Sequence, residues 1–269
     1  MSRKIVFGIL GAIILVSAAV GVTVWVHNPV PPAQPSELQS LLASAGYKPL
    51  KIPDPDLGPG SIIKKIASEN GAMRIEWVGT VASCQVPSNV LSPTPGGGLE
   101  IHSTTSQAYD GKAALQVRGV KAGANIDRVA RVVFKVQAGG SEKLDLVKLN
   151  SWLSNPDNKL DPYCEKLLTE RDLYLVRDAF AIGTGEIQAY DAAGAKVDLD
   201  ASKDIVRVNG DVSLSSSSTI SFSSKVYAGL KEAVLLNKAF SALGGGNSAA
   251  PGDKLSFEGV QTVEIARKP

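Results

Sequence analysis

Twenty-two residues near the start constrain this chain most. Ile5 to Val26 reads IVFGILGAIILVSAAVGVTVWV and carries no charge. A helix rising about 1.5 Å per residue over this stretch is about 33 Å long, enough for a hydrocarbon core about 30 Å thick. Arg3 and Lys4 precede it, and no Lys or Arg follows until Lys48. That asymmetry predicts a single-pass helix in the inner (plasma) membrane, its N-terminus cytoplasmic and the rest extracytoplasmic. Trp25 fits an interfacial aromatic at the outer edge.

The competing reading is a cleaved signal peptide, with Ser17 and Ala19 as the small residues before a cut at Val20. The apolar run continues through Val22, Val24, Trp25 and Val26, beyond the roughly 7–15 residues of a signal-peptide core, which favours a retained anchor. The chain therefore divides into a cytoplasmic tip and anchor (1–27), a stalk (28–35) with four prolines in NPVPPAQP, and an extracytoplasmic domain (36–269).

Lys and Arg number 28 against 26 Asp and Glu, so no basic stripe argues for nucleic acid and no polybasic cluster for lipid headgroups. The expected contacts are the membrane, through Ile5–Val26, and an envelope protein partner; no small-molecule ligand is identifiable. Two cysteines lie far apart, Cys84 and Cys164. Outside the membrane such a pair is expected to bond, closing a loop of about 80 residues at a gain of about 4 kcal/mol in the chain-entropy model. The alternative is two unrelated buried thiols.

Periodicity predicts an α+β domain: a mostly antiparallel twisted sheet with two or three packed helices. A helix begins at a Ser36 cap, carries Leu38, Leu41 and Leu42, and ends at Gly46. Prolines 49, 53, 55 and 59 argue against a central strand between Tyr47 and Gly60. Ile62, Ile63 and Ile66, then Met73, Ile75, Trp77 and Val81, read as a hairpin across Asn70-Gly71. Pro87–Gly98 reads as a loop. Strand arms follow at Ala113–Val120 and Ile126–Val136, ending at Gly139-Gly140. Ser141–Asn155 and Pro162–Thr169 read as helices, and a disulfide at Cys164 would clip them near Val81–Pro87. Leu173–Ile182 and Ile187–Tyr190 read as strands on either side of Gly183-Thr184-Gly185, with a further hairpin at Asn209-Gly210. Lys231–Leu243 reads as a helix with Leu235, Leu236, Ala239, Phe240 and Leu243 on one face, and Leu255–Ile265 as a last strand.

No constellation points to catalysis. The only histidines are His27, beside the membrane, and His102, in HSTTS without a G-x-S-x-G elbow. A hydrolase built on His102 is the least favoured reading. Asp54 and Asp56 flank Pro55 and fit turn chemistry better than calcium ligation. Gly96–Gly98 lacks the Gly-Lys-Ser/Thr of a phosphate loop. No metal, cofactor or catalytic residue is assigned, and the expectation is a non-enzymatic interaction domain.

Three stretches resemble the bacterial gasdermins. Leu41–Ile63 (LLASAGYKPLKIPDPDLGPGSII) is similar to their opening segment. Leu149–Gly185, with LYLVRDAFAIGTGEI at its end, is similar to their passage from helices to a strand pair. Leu255–Val263 (LSFEGVQTV) is similar to a closing strand. The resemblance implies a twisted sheet that extends hairpins into a bilayer once a C-terminal segment is removed. Lys231–Leu243 is the segment that could play that inhibitory part.

Overall fold

The computed structural model describes residues 37–101, 104–110, 126–170, 172–198, 212–216, 219–223, 225–241 and 253–266. The anchor Ile5–Val26, the stalk, the Ser36 cap, His27, His102, the arm at Ala113–Val120 and the Asn209-Gly210 turn lie outside them. Among the described residues no helix is long and apolar enough to cross a membrane, which says nothing of membrane crossing by strands.

Eleven strands form one sheet: β1 (Lys48–Asp54), β2 (Ser61–Glu69), β3 (Ala72–Thr80), β4 (Thr94–Ile101), β5 (Thr105–Asp110), β6 (Arg131–Lys143), β7 (Leu173–Tyr190), β8 (Val212–Ser216), β9 (Thr219–Phe222), β10 (Val226–Leu235) and β11 (Thr262–Ala266). Every named pairing is antiparallel except β1–β11 and β11–β3. β7 pairs with β2 and β10, β10 with β1, β1 with β11, β11 with β3, and β3 with β2. Six strands therefore close on themselves. Leu50, Ile63, Met73, Ile75, Val176, Leu230 and Val263 form one buried cluster to which every strand of this ring contributes. Only the inside of the ring can collect all six, so this is its filled interior.

β7 is long enough to leave the ring. Beyond it, Gly185–Gln188 runs between β6 and β9, with β5 on the far edge of β6 and β8 on the far edge of β9. The face of this open part is apolar, with Val132, Phe134, Val136, Ile187, Ile220 and Phe222 buried. Helix α1 (Glu37–Ser44) covers it with Leu38 and Leu42, while Leu41 on the same turn stays exposed. On the outside of the ring, α2 (Ser88–Leu91), α3 (Leu146–Leu153), α4 (Pro162–Thr169) and α5 (Leu236–Ser241) form a third layer. They pack Leu149, Leu167, Leu236 and Ala239 on Ile62, Leu173, Leu175 and Val234. Ile62 faces out and Ile63 in, as the two-residue period of a strand requires.

Several sequence expectations need correction. β1 lies between β10 and β11 despite its prolines: Pro49 pairs with Gly229 at the start of the strand, and Pro53 falls where the register with β10 is irregular, so its missing N–H costs no ladder bond there. The stretch read as a loop at Pro87–Gly98 holds α2 and most of β4, an outer strand that pairs with β6 alone, where Pro95 is tolerated. β6 does not stop at Gly139-Gly140 but continues to Lys143, so the first helix of the insert starts at Leu146, capped by the Asp145 carboxylate. Gly183-Thr184-Gly185 is not a break: β7 is one strand, and a Cβ at Gly185 would collide with the Lys135 carbonyl oxygen and the Phe222 ring. Lys231–Leu235 is strand, because its pairing with Tyr174–Asp178 and burial of Ala233 and Val234 outweigh helical spacing; Leu236–Ser241 is helix, and the end of the expected helix at Leu243 lies outside the described residues. The last strand begins at Thr262, since Leu255–Gly259 forms a turn-rich plug. The Asn70-Gly71 hairpin and the Pro162–Thr169 helix stand as expected. Asn70 (φ 51°) and Gly71 (φ 76°) adopt the paired left-handed conformations of a tight two-residue turn.

Candidate functional site

Cys84 and Cys164 are bonded, Cα to Cα 5.5 Å, and both are buried. Cys84 ends a 3-10 turn, Val81–Cys84, that leaves β3; Cys164 sits in the first turn of α4. Gln85 adopts a left-handed φ of 62° just past the turn, which sends the chain on toward α2. The Asp161 carboxylate accepts from the Tyr163 amide at 2.8 Å, and Pro162 takes the first helical position, where its missing N–H costs nothing. The bond therefore holds α4 against the end of β3.

Between these two elements lies a groove of about 560 Å³. Trp77 and Val78 of β3 line one side; Tyr163, Lys166 and Leu167 of α4, with Glu170 just past its end, line the other. Leu173 and Lys64 line it from β7 and β2. Tyr163 is 53% exposed and Trp77 40%, although both rings are large apolar surfaces. Charges of both signs line it, Lys64 and Lys166 with Asp56, Glu76 and Glu170. The groove combines apolar residues with groups of both charges, as small-ligand sites do.

A second polar cluster has a different character. The Tyr47 hydroxyl donates to Asp178 Oδ1 at 2.9 Å and lies 2.5 Å from Ser141 Oγ. All three side chains are buried. Burial pushes Tyr47 up to about 12 and also raises Asp178, where hydrogen bonding from Tyr47 and the charges of Lys231 and Lys143 only partly compensate. A tyrosine so hard to ionise is no nucleophile at neutral pH. The Lys231 ammonium sits 5.1 Å from the Tyr47 ring centroid. This cluster ties β1, β6, β7 and β10 together and is read as a cross-brace.

Among the described residues no three His, Cys, Asp or Glu side chains come together as a metal site would require. No family model matches the sequence, and no curated protein matches it. Among solved structures, the chain is similar to a bacterial gasdermin from Bradyrhizobium tropiciagri. The identity is 15%, the match covers 87% of this chain and 98% of that one, and the TM-score is 0.35. The resemblance is distant and concerns the fold.

Cysteine arithmetic found one anchor of the groove, Cys84 with Cys164. It did not find the groove itself. Trp77 belongs by spacing to the apolar series Met73, Ile75, Trp77, and that series reads as one buried face. Trp77 keeps its register with Ile63, in phase with Ile75, yet it is 40% exposed. Tyr163 carried a weak signal, a large aromatic at the polar start of an amphipathic helix.

Proposed function

We propose that this chain is a single-pass, non-enzymatic membrane protein that presents its sheet domain on the extracytoplasmic side, with the groove between β3 and α4 as its contact site. The observation that carries the reading is the Cys84–Cys164 bond. Structural disulfides persist in oxidising compartments, and export of this domain is what the charge-free stretch Ile5–Val26 with its preceding Arg3 and Lys4 predicts. Two independent features thus point to the same side of the membrane. The test is a pair of alkaline phosphatase fusions, one after Pro35 and one at the C-terminus. Activity in both supports the reading, and activity in neither removes it. N-terminal sequencing of the mature protein that begins at Val20 would convert the anchor into a cleaved leader.

A second reading, a gasdermin-like protein that perturbs bilayers, draws on the strand lengths. β6 has 13 residues and β7 has 18, paired antiparallel. Both exceed the roughly 9–11 residues that a tilted strand needs to cross a bilayer. Dye-loaded liposomes exposed to the chain, with and without limited proteolysis at its C-terminal end, test this. Leakage after cleavage favours it; intact liposomes throughout remove it.

A further inference from the structure

We infer that the groove between β3 and α4 binds a short peptide whose two ends are free. The inference rests on the proposed extracytoplasmic interaction domain and names the ligand class of its contact site. Strand register fixes which side chains face the groove. Glu76 of β3, Lys64 of β2 and Leu173 of β7 stand opposite one another across three neighbouring strands. Leu173 belongs to the buried layer under the helices, so this row lies on the outer face of the ring. All three residues line the groove. Trp77 is in register with Ile63, a residue of the ring interior, so its side chain belongs to the inner face and the outer wall of β3 is carried by Glu76 and Val78. On the helix, Tyr163, Lys166 and Leu167 fall three and four residues apart, which puts them on one face. Leu167 is buried in the same layer as Leu173, with Val78 packed against it, so that face is turned to the sheet.

The groove thus has an apolar floor and charged walls. Val78, Leu167 and Leu173 form the floor. Lys64 stands on the sheet side and Lys166 on the helix side, with Glu170 just past the helix end. Among the described residues, none of these three charges forms an ion pair with another side chain. Two uncommitted cations and an uncommitted carboxylate around one groove are complementary to a ligand that carries both signs. A peptide with free ends does so. Its terminal carboxylate accepts from the two ammonium groups, its terminal ammonium donates to Glu170, and an apolar side chain between them covers the floor. A polyanion would face Glu170 and a polycation would face both lysines, so each is opposed by one sign. The volume of about 560 Å³ suits a ligand of several residues better than a single amino acid.

The test is calorimetric titration of the full chain, reconstituted in phosphatidylcholine nanodiscs, at low salt so that exposed charges are little screened. Empty nanodiscs are the blank. The probes are the tripeptide Ala-Leu-Ala, its C-terminal amide, its N-acetyl form and free leucine. Saturable binding of the free tripeptide is expected. Amidation removes the carboxylate that meets two lysines and should weaken binding about tenfold; acetylation removes the ammonium and should weaken it about threefold. Lys64→Gln and Lys166→Gln should each weaken binding of the free tripeptide about threefold and leave binding of the amide unchanged. Glu170→Gln should weaken the free tripeptide and leave the acetylated one unchanged. Lys238→Gln, which removes an equal charge from α5 outside the groove, should change nothing. All four side chains are exposed, and circular dichroism checks that each variant keeps its sheet. No saturable binding of the free tripeptide to a folded chain overturns the proposal. So does equal binding of the amide, or a pair of lysine variants that bind like the native chain. Leucine bound as tightly as the tripeptide would overturn the assignment of a peptide. The phosphatase fusions decide the location of the domain independently of these titrations.

Discussion

From Leu173 to Val176, β7 is part of a ring that closes; from Gly185 to Tyr190 it runs through a sheet that ends at β5 on one side and β8 on the other among the described residues. The ring is filled with apolar side chains: the residues it buries at Leu50, Ile63, Met73, Ile75 and Val263 have no polar group beyond the backbone. The open part mixes its apolar face with buried polar side chains, Thr105 and Gln107 on β5, Gln188 on β7 and Thr219 on β9. Closure gives every strand of the ring a partner on both sides and allows an apolar interior. A sheet with free edges lacks that economy and must be protected by helices, loops or polar groups. The ring is thus the rigid half on which the groove is mounted, and the open half is the part with latitude to rearrange. Helix α4, which lines the groove, attaches to the ring side.

This division predicts where damage should be greatest. Replacing Cys84 and Cys164 by serine opens a loop with a sequence separation of 80 and should lower the unfolding free energy by about 4 kcal/mol. Urea denaturation followed by far-ultraviolet circular dichroism measures it. If the bond serves the groove more than the ring, near-ultraviolet signals from Trp77 and Tyr163 should be lost at lower urea than the sheet signal. Coincident loss of both would show that α4 and the ring unfold as one unit.

Ile75→Ala removes a fully buried side chain from the ring interior, and a loss of about 3 kcal/mol is expected. The ring has little room to collapse around the cavity, because six strands fix its diameter. A loss below about 1 kcal/mol would mean that the ring deforms as readily as the open half, and the contrast drawn between them would fail.

The seam where the two halves meet carries two carboxylates, Glu232 of β10 and Asp178 of β7, opposite one another in the register. Their environments push them apart. Burial works to raise Glu232, but the Lys254 ammonium at 2.7 Å and the Arg177 guanidinium at 3.2 Å outweigh it, so its pKa is lowered. Asp178 is raised, chiefly by burial. A lowered carboxylate stabilises the fold above its unfolded pKa, and that stabilisation is lost as the pH falls through the lowered folded value. A raised carboxylate does the opposite: its contribution is full below the unfolded pKa and is lost as the pH rises through the folded one. Glu232→Gln should therefore cost about 1–2 kcal/mol at pH 7, chiefly by leaving the largely buried Arg177 guanidinium without its partner while the exposed Lys254 is screened by solvent, and much less at pH 3. Asp178→Asn should raise stability at pH 7 and leave it unchanged at pH 3. Urea midpoints at the two pH values check both signs.

Most of this architecture was legible where local chemistry decides it. The Asn-Gly turn at 70–71 and the start of α4 at Pro162 each follow from a few neighbouring residues, and the pairing of Cys84 with Cys164 follows from there being only two cysteines in the chain. What was not legible depends on partners distant in the chain. Lys231–Leu235 has helical spacing, yet it completes the ring by pairing with β7. β1 contains Pro49 and Pro53, two of the four prolines that argue against a strand, and it is held between β10 and β11 because the ring needs a sixth strand there. Closure is a property of the whole sheet, and no window of residues encodes it. The groove escaped for the same reason: its walls come from β3 and α4, joined through a bond whose ends are 80 residues apart.

The smallest expected effect is the sharpest test of the contrast. Gln107 is 2% exposed in β5, opposite Phe134 of β6. Its Nε2 donates to the Ala108 carbonyl at a long 3.4 Å, and its Oε1 has no hydrogen-bond partner among the described residues. A buried amide oxygen left unpaired costs about 1–3 kcal/mol, whereas an apolar side chain of similar size incurs no such penalty. Gln107→Leu should therefore raise the unfolding free energy by about 1 kcal/mol. No equivalent substitution exists in the ring's buried cluster, where the one hydroxyl among the buried side chains, that of Tyr227, donates to Glu142. A gain would locate stored instability in the open half, and in the liposome assay the same variant should then leak more slowly if that half rearranges. A loss of stability would show instead that the native chain gives Oε1 a partner, and that the open half is as completely satisfied as the ring.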